Sequence, residues 1–238
     1  MPATLEKTVR EIALENPASI RVFESMGIDY CCGGKRPLTE ACSHANVDFA
    51  SVVALLESIR KPATPGTEWK NRSLTDLIAH IVGTHHAYVR RETPRIDTLL
   101  AKVLARHGTN HPEISQIQVL FSAISHELAT HMIKEEHILF PHLERLEQAS
   151  QSGKPVPSAC FSTVQLPIAA MMAEHDDAGA LLAQIRQLSN GYTAPAGACP
   201  TYLGLYLALE EFEHDLHHHV HLENNSLFPR AVEMEQAS

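Results

Sequence analysis

Apolar residues along the chain recur at intervals of three and four and almost never alternate, so the pattern predicts helices and no sheet. Short stripes run from Leu5 to Leu14 and from Pro17 to Met26, where Gly27 stops the second, and a third short piece ends near Ile59. Between the second and third lies the glycine loop IDYCCGGKRP. Beyond KPATPGTEW (Lys61 to Trp69), whose Pro and Gly content marks a linker, the stripes become much longer. The reading is all-α: a small helical domain at 1–62, a linker at 63–72 and a four-helix bundle at 73–238.

Within the bundle, Ser73 and Asp76 resemble a capping box that starts a helix running through His86. Pro94 suits the first turn of a following segment that continues toward Arg106. A long helix is expected from about Pro112 to Glu147, kinked or cut short at Pro141 because proline removes a backbone donor. After the loop QASQSGKPVPSAC a third helix covers roughly Leu166 to Leu188. NGYTAPAGACP is another loop, and the last helix runs from Tyr202 to about Asn224.

Composition narrows the chemistry. The 238 residues carry a formal net charge of -9, which argues against a nucleic-acid backbone as partner. No apolar run reaches the length of about eighteen residues that a membrane span needs, and MPATLEKTVREIALENP has charges where a signal peptide would be apolar. The expectation is a cytoplasmic protein with no membrane contact. Five cysteines, Cys31, Cys32, Cys42, Cys160 and Cys199, are an odd number at no disulfide-like spacing and read as free thiols. The outlier is histidine, with 16 copies.

Those histidines fall into a repeat. HMIKEEHILFP (His131 to Pro141) and HVHLENNSLFP (His219 to Pro229) share His-x-x-x-Glu and, at the same offset, Leu-Phe-Pro. His86 precedes the first copy by 45 positions and His175 precedes the second by 44, each on its own predicted helix. Residues four apart share a helix face, so His131 with Glu135, and His219 with Glu223, each aim two groups at one place. Two such halves about a pseudo-two-fold axis bring four imidazoles and two carboxylates into the bundle core. That set exceeds the needs of one ion and fits two, with Glu135 and Glu223 spanning both and room for an oxo or hydroxo bridge. Imidazole and carboxylate without thiolate suit iron, manganese or zinc. His85, beside His86, is the alternative fourth imidazole, and His86 gives the better matched spacing.

Other residues have weaker signals. At about 100° per residue, His214, His217 and His221 fall opposite His219 and read as solvent-facing, with a weak second metal site as the alternative. Glu127 and Glu174 are either acceptors behind the ligands, linings of an access path, or plain surface. Cys31 and Cys32, followed by two glycines, read as a reactive dithiol that Lys35 or Arg36 would activate, or as ordinary half-buried cysteines. Cys42 is a candidate third sulfur, and Cys160 and Cys199 sit in loops without partners.

DYCCGG at Asp29 to Gly34, HMIKEE at His131 to Glu136, EHD at Glu174 to Asp176 and HLENNSLFPRA at His221 to Ala231 together resemble the repair of iron centres family. That resemblance covers nearly the whole chain and implies a hemerythrin-like bundle carrying two non-haem iron ions on His86, His131, Glu135, His175, His219 and Glu223. It also implies a bacterial stress protein that restores iron-sulfur clusters damaged by nitric oxide or oxidants, using its labile iron as the source. Damaged iron-sulfur proteins are then the partners, nitric oxide or oxygen the small ligand, and a homodimer is left open. Two other readings are a nitric oxide or oxygen scavenger and a dinuclear zinc hydrolase, the latter disfavoured because no further Asp cluster or nucleophile motif is evident.

Overall fold

The computed structural model describes residues 7–16, 19–30, 33–58, 69, 72–153, 155 and 160–237. Among them all regular structure is helical, apart from an isolated antiparallel bridge between Thr8 and Pro37. No described helix is long and apolar enough to cross a membrane.

The amino-terminal part contains α1 (Val9–Glu15), α2 (Ser19–Ser25), α3 (Leu38–His44) and α4 (Phe49–Ser58). Thr8 and Glu11 form a reciprocal capping box at the start of α1, satisfying two backbone donors that helix geometry leaves open. One helical piece was expected to end near Ile59, but two form. The break falls just after α3, where Asn46 takes a left-handed conformation (φ 55°) that asparagine tolerates better than most residues. Phe23, Tyr30, Leu38 and Val52 anchor a core that belongs to this part alone.

Four long rods follow. The first is α5 (Leu74–His80), a π-helical turn π1 (Ile81–His86) and α6 (Ala87–His107). The second is α7 (Glu113–Lys134), π2 (Glu135–Leu139) and α8 (Phe140–Ser152). The third is the unbroken α9 (Gln165–Leu188), and the fourth is α10 (Pro200–Leu222), π3 (Glu223–Leu227) and α11 (Phe228–Gln236). α6 packs on α10 and on α7, and α7 packs on α9.

Two prolines behave differently from expectation. Pro94 starts no helix; it lies inside α6 on the exposed side, where the carbonyl it deprives of a partner can face water. Pro141, expected to kink the second rod or end it early, does not end it: the rod leaves the α ladder at π2 just before the proline, which occupies the first turn of α8. The wider π turn changes the hydrogen-bond register, so the amide that proline lacks falls where the α ladder restarts. Pro229 repeats this after π3, and the fourth rod therefore runs past Asn224 to Gln236.

The bundle interior consists of two apolar layers. One gathers Ile96, Leu100, Phe121, Ile124, Leu182 and Phe212. The other gathers Leu74, Leu77, Phe140, Leu143, Ile168 and Phe228. Every rod contributes to both, so a level between them is left for the residues of the repeat.

The repeat also closes each half on itself. The buried Glu147 carboxylate accepts from the Leu74 amide at 2.7 Å, the Thr75 amide at 3.0 Å and the Thr75 hydroxyl at 2.8 Å. Glu235 does the same for the other half, accepting from the Val164 amide at 3.0 Å and the Thr163 hydroxyl at 2.6 Å. Each carboxylate stands at the positive end of a helix dipole and satisfies donors that would otherwise be buried unpaired. Replacing Glu147 by Ala is expected to destabilise the protein by about 1–3 kcal/mol, read as a lowered denaturation midpoint at constant slope. An unshifted midpoint would remove the clasp from the account.

Candidate metal centre

The six residues singled out by the repeat converge between the two apolar layers, and all are buried. His86 ends π1, His131 lies in the last turn of α7, Glu135 opens π2, His175 sits mid-way along α9, His219 lies in the last turn of α10 and Glu223 opens π3. They form two overlapping groups, His86, Glu135, His219, Glu223 and His131, Glu135, His175, Glu223, within which the ligand atoms all lie within 4.8 Å of one another.

The carboxylates are shared oxygen by oxygen. Glu135 Oε2 lies 3.4 Å from His86 Nε2, and its Oε1 lies 3.3 Å from His131 Nε2. Glu223 Oε1 lies 3.0 Å from His219 Nε2, and its Oε2 lies 3.1 Å from His175 Nε2. Within each pair of histidines the Nε2 atoms approach to 3.1 Å (His86 and His219) and 3.0 Å (His131 and His175). Both Glu135 oxygens and Glu223 Oε2 are buried without a hydrogen-bond partner among the described residues. Buried carboxylate oxygens are rarely left so, and pairing with a cation is their usual compensation. The donor set therefore fits two cations, each with two imidazoles and an oxygen from each carboxylate.

Behind the ligands stands a layer of acceptors. His86 Nδ1 faces Glu136 Oε1 at 2.6 Å, His131 Nδ1 faces Glu174 Oε2 at 2.8 Å, and His175 Nδ1 faces Asn224 Oδ1 at 2.9 Å. A proton held at Nδ1 leaves the Nε2 lone pair directed inward, the tautomer a metal ligand needs. Arg90 bonds both Glu136 oxygens at 2.7 and 2.8 Å, and Lys134 bonds Glu174. Among the described residues His219 Nδ1 meets no acceptor.

The electrostatics follow from burial of two carboxylates among imidazoles. For Glu223, burial opposes ionisation, yet His219 and His175 outweigh it and hold the carboxyl well below its ordinary range. Glu135 is lowered too, against its own burial and the charge of Glu223. Burial disfavours a charged His131, but Glu135, Glu223 and Glu174 reverse this and push it up to about 9; His86 is raised in the same way. His219 goes down, because burial there exceeds the pull of Glu223.

Other expectations fare unevenly. His85 does not take the place of His86: its Nδ1 meets Asp215 Oδ1 at 3.0 Å and its ring stacks on His219 at 5.5 Å. His221 does not face solvent. The amino-terminal part covers it: Tyr30 places its ring 5.4 Å from His221 and its carbonyl oxygen 3.2 Å from His221 Nδ1, and Arg10 bonds the Asn225 carbonyl at 2.7 Å. His217 lies partly under the Tyr30 ring, and His214 is half-buried. Glu127 is surface, whereas Glu174 is an acceptor behind a ligand. Cys199 has a partner after all, with His107 Nε2 at 3.2 Å from its sulfur. Cys42 is buried in the amino-terminal core, Cys160 is exposed, and Cys31 and Cys32 lie outside the described residues. Glu136 and Asn224 went unnoticed in the sequence, although both follow the carboxylate of their copy of the repeat.

Residues 77–231 match the family described as Hemerythrin HHE cation binding domain, and residues 5–60 match ScdA_N, a domain of unknown function. The chain is 36% identical over 221 residues to the "Iron-sulfur cluster repair protein YtfE" of Yersinia pseudotuberculosis serotype IB (strain PB1/+), covering 93% of this chain and 94% of that one. The protein of the same name from Yersinia pestis (strain Pestoides F) matches to the same extent. The chain belongs to the hemerythrin HHE cation-binding family, in the form that carries an amino-terminal ScdA_N domain.

A cation entering the centre would displace the proton that burial among carboxylates favours on His131, since a protonated imidazole has no lone pair to offer. Loading the demetallated protein at pH 7 is expected to release protons, and the apparent affinity to fall as pH is lowered. With His131 titrating at about 9, the proton release fades as pH rises through that value. Calorimetry in two buffers of different ionisation enthalpy measures it, and identical heats in both would refute the assignment.

Proposed function

We propose that this member of the hemerythrin HHE family is an iron-sulfur cluster repair protein that holds two non-haem iron ions on His86, His131, Glu135, His175, His219 and Glu223. The observation that carries the reading is the sharing of Glu135 and Glu223, each turning one oxygen to each pair of histidines. Relatives named for cluster repair match the chain over nearly its full length, which supports the function and the choice of iron.

When bound, the iron pair supplies releasable iron and a place for nitric oxide or oxygen to bind. The protein's own residues do the rest. Acceptors behind His86, His131 and His175 fix the tautomer that presents Nε2 inward, and the apolar layers keep bulk water from the carboxylates. Imidazole and carboxylate donors without thiolate suit iron. In this reading Cys31 and Cys32 are the thiols that exchange iron with the damaged acceptor. Tyr30, their neighbour in sequence, is tied through its carbonyl to Asn225 Nδ2 at 3.3 Å, two positions from Glu223. Damaged iron-sulfur proteins are the partners.

Anaerobically purified protein is expected to carry two irons per chain and to restore a nitric-oxide-damaged iron-sulfur acceptor in a cell-free assay. Glu223→Ala, which removes the oxygen turned to each histidine pair, should bring iron below one per chain and abolish repair. Cys31→Ala with Cys32→Ala should keep both irons and lose repair. Removal of nitric oxide without restoration of the acceptor would assign gas binding instead, and less than one metal per wild-type chain would sink the centre itself.

A further inference from the structure

The duplication makes the two halves comparable residue by residue. His86 corresponds to His175, His131 to His219 and Glu135 to Glu223; the residues that follow the carboxylates, Glu136 and Asn224, correspond as well, and each accepts from the lone histidine of its own half. The acceptor of His131 is Glu174, which immediately precedes His175. Its counterpart in the first half, the residue that should accept from His219, is His85.

His85 does not accept. Its Nδ1 is engaged by Asp215 at 3.0 Å, its ring lies parallel to that of His219 (6° between planes), and His219 Nδ1 is buried with no acceptor among the described residues. The neighbours have changed in concert. Lys134, which bonds Glu174, corresponds to Leu222, so the arm without a carboxylate has also lost its cation. Asp215, which engages His85, corresponds to the exposed Glu127. His131 and His175 are thus both backed by acceptors, whereas of the other pair only His86 is.

Acceptors behind metal-bound histidines raise ligand basicity and lock ring orientation, and their loss typically costs about 10–100-fold in metal affinity. We infer that the two cation positions are unequal, and that the one between His86 and His219 is the exchangeable one. The surroundings agree: beyond His85, Asp215 and His218 line an open cleft of about 520 Å³ together with His214 and Tyr88. His218 meets the His85 ring edge-on at 5.2 Å. The weaker position therefore lies on the side where imidazole and carboxylate groups lead outward. The inference rests on the two-ion reading above and specifies which ion that reading releases.

Iron-loaded full-length protein, its metal content first measured, is mixed with excess ferrous chelator under reducing conditions and extraction is followed by absorbance. The wild type is expected to lose iron in two phases of one ion each. His85→Glu, with or without Leu222→Lys, transplants the arm of His131 onto His219 and should slow the fast phase about tenfold or more while leaving the slow one unchanged. Glu174→Ala should speed the slow phase instead, merging the two. Fewer than two irons in the wild type would overturn the centre. Two irons leaving in a single phase, or a folded His85→Glu variant with an unaltered fast phase, would overturn the inequality and leave the centre standing. The Glu174→Ala measurement keeps the test decisive if His85→Glu fails to fold.

Discussion

Glu135 and Glu223 each place an ionised carboxylate at zero exposure in the middle of a helical bundle, and much of the surrounding sequence answers that placement. An isolated buried carboxylate is so costly that it ordinarily takes up a proton instead. Here imidazoles on four rods hold both groups in the charged form, and two of the acceptors behind them, Glu136 and Glu174, are themselves held by Arg90 and Lys134. Along the His86 and His131 arms charge alternates outward from the carboxylates: anion, imidazole, anion, cation. Removing one member leaves its neighbour buried and unpaired, which is why the level between the apolar layers acts as a unit.

Much of this level was legible because it was written twice. A single His-x-x-x-Glu on a helix is an ordinary surface pair, but two with the same flanks and the same upstream histidine spacing separate the six buried residues from the other histidines. The all-helical class was legible for a simpler reason, since apolar residues at three and four cannot line one face of a strand. What stayed hidden depends on contacts between distant segments. His221 reads as solvent-facing on its own helix, yet it is buried where Tyr30, distant in sequence, packs on it. The π turns were equally hidden: one extra residue per turn leaves no compositional mark, and the expected kink or stop at Pro141 took the form of a register change just before it.

The clasps at Glu147 and Glu235 and the acceptors at Glu136 and Asn224 show that the duplication extends well past the ligands. Each half carries its own carboxylate for its own first helix and its own acceptor for its own lone histidine. The departures from symmetry are then informative, because a matched framework isolates them. Two of them bear on the centre: His85, Leu222 and Asp215 beside His219, and Asn224, where an amide replaces the carboxylate of Glu136 and Gly179 stands at the position matching Arg90.

His86 and His219 are 133 residues apart in sequence, yet their ring nitrogens are 3.1 Å apart. An ion gripped by both would be, for the polymer, a reversible cross-link that closes a loop of more than half the chain. Such a closure removes more freedom from an unfolded chain than from a folded one, and its effect grows slowly with loop length. A cation held there would thus also be a knot in the chain, and a molecule without it would differ from its loaded twin in how tightly it is tied as well as in what it carries.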